Sequence, residues 1–152
     1  MPQISKQISV IGSGEPAPAV LALAEKVGGL IAEAKAVLVC GGLGGVMEAA
    51  ARGAKEKNGF TVGIVPGYDK KTANPFIDIV IATGMGHARN ILVVASADVV
   101  VALPGSHGTR SEISFALLLG KKVFGMHAWG EIPGVCQLDT LDRLKLELLP
   151  IS

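Results

Sequence analysis

The chain has 152 residues, 49% of them hydrophobic, with 14 Lys and Arg against 13 Asp and Glu. That length suits one domain, residues 1–152, with a sizeable core. A net charge of +1 gives no electrostatic case for nucleic acid or an anionic membrane surface, and one Trp and one Tyr supply no aromatic stacking platform.

Gln7 to Ile11 reads as a first strand leading into Gly12-Ser13-Gly14. A helix follows from about Ala17 to Ala34, its apolar residues Val20, Leu23, Val27, Leu30 and Ile31 recurring at helical spacing. Ala36 to Cys40 is a second strand, and Gly41-Gly42-Leu43-Gly44-Gly45 is a second glycine turn. The next helix runs from about Val46 to Lys57, with Glu48 and Arg52 placed as an i,i+4 pair, and Asn58-Gly59 stops it. Phe60 to Val65 is a third strand, Tyr68 to Pro75 a polar loop with Lys70 and Lys71, and Ile77 to Ala82 a fourth strand. Thr83-Gly84-Met85-Gly86 leads into a helix over about His87 to Ser96.

Val99 to Leu103 is β-branched and continuously apolar, the signature of a strand buried on both faces. Pro104-Gly105 ends it. Thr109-Arg110-Ser111-Glu112 then has the form of a capping box before the apolar run Ile113 to Leu119, in which Glu112 caps its own helix. Lys122 to Met126 is a sixth strand. The leucines between Cys136 and Leu148 predict a helical tail.

Strands alternating with helices predict an α/β fold, a doubly wound parallel sheet with helices on both faces. In such a sheet every strand-to-helix turn lies on the carboxyl edge, where ligands bind at a switch in strand order. Gly12–Gly14, Gly41–Gly45, Pro66–Lys71, Gly84–Asn90 and Pro104–Glu112 then share one rim. Several glycine turns on one rim point to a ligand that needs close backbone approach, most simply a phosphate.

Other chemistries fit less well. Gly12-Ser13-Gly14-Glu15-Pro16-Ala17 has the GxGxxA form of a dinucleotide fingerprint, but Cys40-Gly41-Gly42 stands where the ribose-binding acid belongs. No GxxxxGK[ST] is present. Ser106 beside His107 lacks a GxSxG elbow and a third orienting residue, so Ser106 reads as a donor to an anion. His87, His107 and His127 lack metal-ligand spacing, and no metal site is expected. Arg89, at the start of its helix, needs a compensating anion, and Glu112 on the same rim is the natural partner. Cys40 and Cys136 form no CxxC pair, which fits a reducing compartment. With no signal-like leader and no apolar run long enough to span a bilayer, the expected location is the cytoplasm, away from membranes.

Gly41-Gly42 … Gly44-Gly45-Val46-Met47-Glu48-Ala49, Gly84-Met85 … Ala88-Arg89-Asn90 and Pro104-Gly105-Ser106-His107-Gly108-Thr109 … Glu112-Ile113 together resemble the Rossmann-like superfamily once labelled lysine decarboxylases. Two branches of it compete. The lonely-guy phosphoribohydrolases, which release base from a cytokinin nucleoside 5′-monophosphate, carry PGGxGTxxE and an upstream arginine-lysine pair. That resemblance implies Arg89 and Glu112 as catalytic groups and Gly105, Gly108 and Thr109 on the phosphate. Here Asn90 replaces the lysine and Ser106 the second glycine. The short molybdenum cofactor carrier proteins look closer in length, in Gly-Val-Met-Glu and in the phrase Thr83 to Asn90, and this branch is preferred. It implies binding and storage of molybdenum cofactor (molybdopterin) as cargo without chemistry, and hence no catalytic residue. The binding residues would be Gly12, Ser13, Gly14, Gly41, Gly42, Gly44, Gly45, Arg89, Asn90, Gly105, Ser106, His107, Gly108, Thr109 and Glu112. A small phosphorylated ligand, molybdopterin or nucleotide, is the implied partner, with a molybdoenzyme as recipient. Relatives in both branches imply a homo-oligomer, dimer or tetramer.

Overall fold

A computed structural model describes residues 4–149. Its strands are β1 (Gln7–Ile11), β2 (Val37–Cys40), β3 (Phe60–Val65), β4 (Ile79–Ala82), β5 (Val99–Ala102), β6 (Lys122–Met126) and β7 (Val135–Leu138). Its helices are α1 (Pro18–Glu33), α2 (Val46–Glu56), α3 (Arg89–Ala95), α4 (His107–Leu118) and α5 (Leu141–Leu148). The seven strands form one sheet in the order β4-β3-β2-β1-β5-β6-β7. Every pairing is parallel, with Ser9 opposite Val39 on one side and Val100 on the other. This is the Rossmann-like α/β architecture.

Alternation along the central strands divides the core. Val10, Leu38 and Val101 face α1, α2 and α5, while Ile11, Val39 and Val100 face α3 and α4. Both faces are covered, so these strands are apolar throughout. α1 and α2 approach until backbones nearly touch: a Cβ on Gly28 would lie 1.9 Å from Ala50 O, and one on Gly53 1.8 Å from Glu25 O. Arg52 forms the expected pair with Glu48 at 3.7 Å and adds Glu25 at 3.5 Å.

Four expectations need correction. The tail is not one helix: Val135–Leu138 pairs with β6, and only Leu141–Leu148 is helical. Leucine spacing is blind to this break, which Thr140 makes by accepting the Arg143 N–H at 3.2 Å. Thr140→Ala is expected to cost about 1 kcal/mol, read as a lower urea midpoint with unchanged slope. β4 begins at Ile79 and is an edge strand, with Ile79 and Ile81 exposed. The β3–β4 connection contains a 3-10 turn, Lys70–Thr72, and no crossover helix, so nothing covers them. The helix predicted from His87 begins two residues later, at Arg89, and a tighter 3-10 turn, Gly86–Ala88, leads into it. Finally, α4 starts at His107 with Ser106 as its N-cap residue. Thr109 and Glu112 are therefore inside the helix, and the capping box does not form.

Candidate functional site

β1 feeds β2 on one side while β5 lies on its other side, so strand order switches between β1 and β5. A crevice opens at their carboxyl ends. It is a cavity of about 170 Å³ lined by residues from four turns.

From the first turn, Gly12, Ser13 and Gly14 line it. Ser13 ties this turn to two others: its N–H donates to Pro104 O at 3.0 Å, and its carbonyl accepts from Val46 N–H at 2.9 Å. From the second turn only Gly41 reaches the cavity, joined by Met47. Gly42, Gly44 and Gly45 do not line it. Gly42 O accepts from the Asn74 N–H at 2.8 Å, and Gly44 is exposed. Gly45 is the N-cap of α2 at φ +67, where a Cβ would fall 2.5 Å from the Gly14 carbonyl. Its role is to let the first two turns interlock.

α3 contributes Arg89 and Asn90, 8% and 6% exposed. The guanidinium is held by acceptors around it: Nε donates to Ile64 O at 2.9 Å, Nη2 to Gly41 O at 3.3 Å, and Nη1 to Asn90 Oδ1. The expected direct partner, Glu112, forms no ion pair with it. Those oxygens satisfy the guanidinium in the place of a carboxylate. Burial pushes the Arg89 pKa down, and the charge of Glu112 opposes that shift.

β5 and α4 supply Ser106, Gly108, Thr109 and Glu112. The first intrahelical bond at this end is Arg110 N–H to Ser106 O, 2.9 Å. The N–H groups of His107, Gly108 and Thr109 thus have no acceptor within the helix. Ser106 makes no side-chain cap bond, so its exposed hydroxyl is uncommitted. A Cβ on Gly108 would meet nothing within 4 Å. The side chain of His107 is exposed and, like Gly105, does not line the cavity; a Cβ on Gly105 would lie 2.1 Å from Thr109 Oγ1.

Glu112 is 9% exposed and lines the cavity without a hydrogen bond from the described residues. Burial pushes its carboxyl up to about 7, with Arg89 pulling the other way. Cys40, fully buried beneath the site, is pushed up to about 11 by burial and stays a thiol. His87, reached from the 3-10 turn, also lines the cavity. Among the described residues no group of three His, Cys, Asp or Glu is placed to hold a metal, and no helix is long and apolar enough to cross a membrane.

The sequence does not single out Met47 as a site residue, because its position just past a glycine turn carries no chemical signature. Ile64 escaped for a different reason: it acts through its carbonyl, which no side-chain pattern reveals.

Comparison with known proteins bears on this site. A family model described as the SLOG cluster4 family matches residues 5–145. A protein of Archaeoglobus fulgidus is 48% identical over 134 residues, 88% of each chain. The molybdenum cofactor binding protein of Rippkaea orientalis is 36% identical with a TM-score of 0.78, over 97% of this chain and 83% of that one. The molybdenum cofactor carrier protein of Chlamydomonas reinhardtii is 29% identical with a TM-score of 0.87, over 95% of this chain and 96% of that one. This chain belongs to the SLOG cluster4 family.

Proposed function

We propose that this member of the SLOG cluster4 family binds, stores and protects molybdenum cofactor, seating its terminal phosphate on the first turn of α4. One observation carries the phosphate placement: α4 begins at the cavity with three N–H groups and the Ser106 hydroxyl uncommitted. Aligned N–H groups and the positive end of a helix favour an anion. The similarity to the Rippkaea and Chlamydomonas proteins supports the identity of the cargo. A cavity of about 170 Å³ is below the ~300 Å³ of a site that engulfs a drug-sized ligand. It takes the phosphate end, and the pterin and dithiolene lie along the open rim. Gly12, Ser13, Gly14, Gly41, Arg89, Asn90, Ser106, Gly108, Thr109 and Glu112 line the phosphate end. Gly42, Gly44, Gly45, Gly105 and His107 lie outside that lining, in the turns that carry it.

The reading extends to a homo-oligomer in the cytoplasm that hands its cargo to a molybdoenzyme. The uncovered face of β4 supports the oligomer.

A second reading, hydrolysis of a nucleoside 5′-monophosphate, is favoured by Glu112, whose buried carboxyl near pH 7 suits general acid–base work. Against it stands Asn90. Its Oδ1 accepts from Arg89, a contact the lysine of the hydrolase motif has no acceptor to make.

Two tubes separate the readings. One holds molybdenum cofactor, with ultrafiltration and assay of retained pterin by fluorescence after oxidation. The other holds AMP, with chromatography for adenine. Retained cofactor and no adenine is expected; adenine released without retained cofactor would reverse the assignment. Ser106→Ala is expected to weaken cofactor retention by about 1 kcal/mol, roughly fivefold. Because the hydroxyl caps nothing, thermal stability should stay as in the parent protein.

A further inference from the structure

We propose that Trp129 is a positioning residue for the turn that presents the phosphate-binding N–H groups, gripping that turn at both of its ends. The inference rests on the reading that the first turn of α4 takes the ligand's phosphate.

β5 runs into Leu103, and Pro104, Gly105 and Ser106 carry the chain into α4. On the entry side, the Trp129 indole Nε1–H donates to Leu103 O at 2.9 Å. On the exit side, the Arg110 guanidinium lies over the same indole, 5.1 Å from the ring centroid. Arg110 Nη2 is in turn 3.7 Å from Glu131 Oε1, two residues beyond Trp129. One ring thus bonds the last residue before the turn and carries the first residue after the three free N–H groups.

The loop between β6 and β7 is bent to put that ring in place. Trp129 is buried, at 6% exposure, with φ +75, and His127 in the same loop has φ +61. A bulky residue takes a left-handed conformation only where its surroundings over-determine it. Trp129 does not line the cavity, so it acts on ligand only through the turn. Inside the turn itself, the tie to the rest of the sheet is the Ser13 N–H on Pro104 O at 3.0 Å. N–H groups bind an anion well only when held close to the productive geometry, and a grip on both flanks supplies that.

The test uses the whole chain, inorganic phosphate as probe, and backbone amide NMR as readout. Trp129→Phe keeps an aromatic face and removes the indole donor. The amides of Gly105, Gly108 and Thr109 are expected to move in the ligand-free variant, and phosphate binding to weaken about tenfold, the lower range for loss of a supporting partner. A merely structural role would lower the melting temperature and leave the affinity of the folded fraction unchanged; that result overturns the proposal. If Trp129→Phe does not fold, Arg110→Lys decides. It keeps the charge but loses the planar group that lies on the indole, and about threefold weaker phosphate binding is expected. Unchanged amides and unchanged affinity in that variant overturn the proposal. Should the parent protein retain cofactor but not bind phosphate, the phosphate reading fails instead. The ligand-free amides at 105–109 then judge Trp129 alone, and their failure to move refutes it.

Discussion

Gly108→Val is expected to abolish retention of molybdenum cofactor while leaving the fold intact. Gly108 is the second residue of α4, between two free N–H groups, and it lines the cavity. A Cβ there meets nothing beyond its own helix turn within 4 Å, so the space above it is open. Valine is also a better helix former than glycine, by a few tenths of a kcal/mol, so the melting temperature should hold or rise slightly. The open space above Gly108 is where the phosphate sits in the proposed reading. A branched side chain there blocks the approach to three donors at once, and charge-assisted bonds of this kind are worth about 1.5–3 kcal/mol each. Loss of at least 100-fold in affinity follows, measured by pterin retained after ultrafiltration beside a thermal melt. Undiminished retention by a folded variant would remove the start of α4 from the site.

The second large effect is a dependence on pH. Glu112 has its carboxyl pushed up to about 7 by burial, from an ordinary 4.5. The folded chain therefore holds a proton that the unfolded chain has released between those values. Stability contributed by this group is fully present below pH 4.5, declines as pH rises to about 7, and is constant above that. At about 1.4 kcal/mol per decade the decline amounts to ~3 kcal/mol. Glu112→Gln has no proton to lose, so its urea midpoint should stay flat over the window where that of the parent falls. A parallel decline in both proteins would locate the titrating group elsewhere.

The same charge faces the ligand. Ionised Glu112 opposes an anion in a small cavity, so cofactor should dissociate more readily from the parent protein as pH rises through 7. Glu112→Gln should bind with little of that loss. The difference between the two proteins isolates Glu112 from titration of the phosphate itself. In the AMP assay the same variant is the sharper discriminator, since a hydrolase would lose its activity and a carrier would keep its cargo. Capping plays no part in this comparison, because Glu112 lies in the second turn of α4 and caps nothing.

Much of this molecule is legible in the chain alone. The alternation of apolar strands with amphipathic helices determined the parallel sheet, since only buried strands tolerate runs such as Val99–Ala102. The glycine turns after β1, β2 and β5 followed from the same order, because each crossover returns its turn to the carboxyl edge. The Glu48–Arg52 pair also followed from local pattern. Tertiary structure decided the rest, where the choice depended on partners distant in sequence. Val135–Leu138 became a strand because β6 offers it an unpaired edge, which no leucine spacing records. Ile79 and Ile81 stayed bare because no helix crosses over them. Arg89 took carbonyl oxygens and Asn90 in the place of Glu112, and so left that carboxyl buried and alone in the cavity. The helix start moved from Thr109 to Ser106 because Thr109 is packed against Gly105, which freed the serine hydroxyl and three N–H groups together. A sequence specifies which residues stand near a turn; which donors that turn leaves unpaired is set by every contact folded against it.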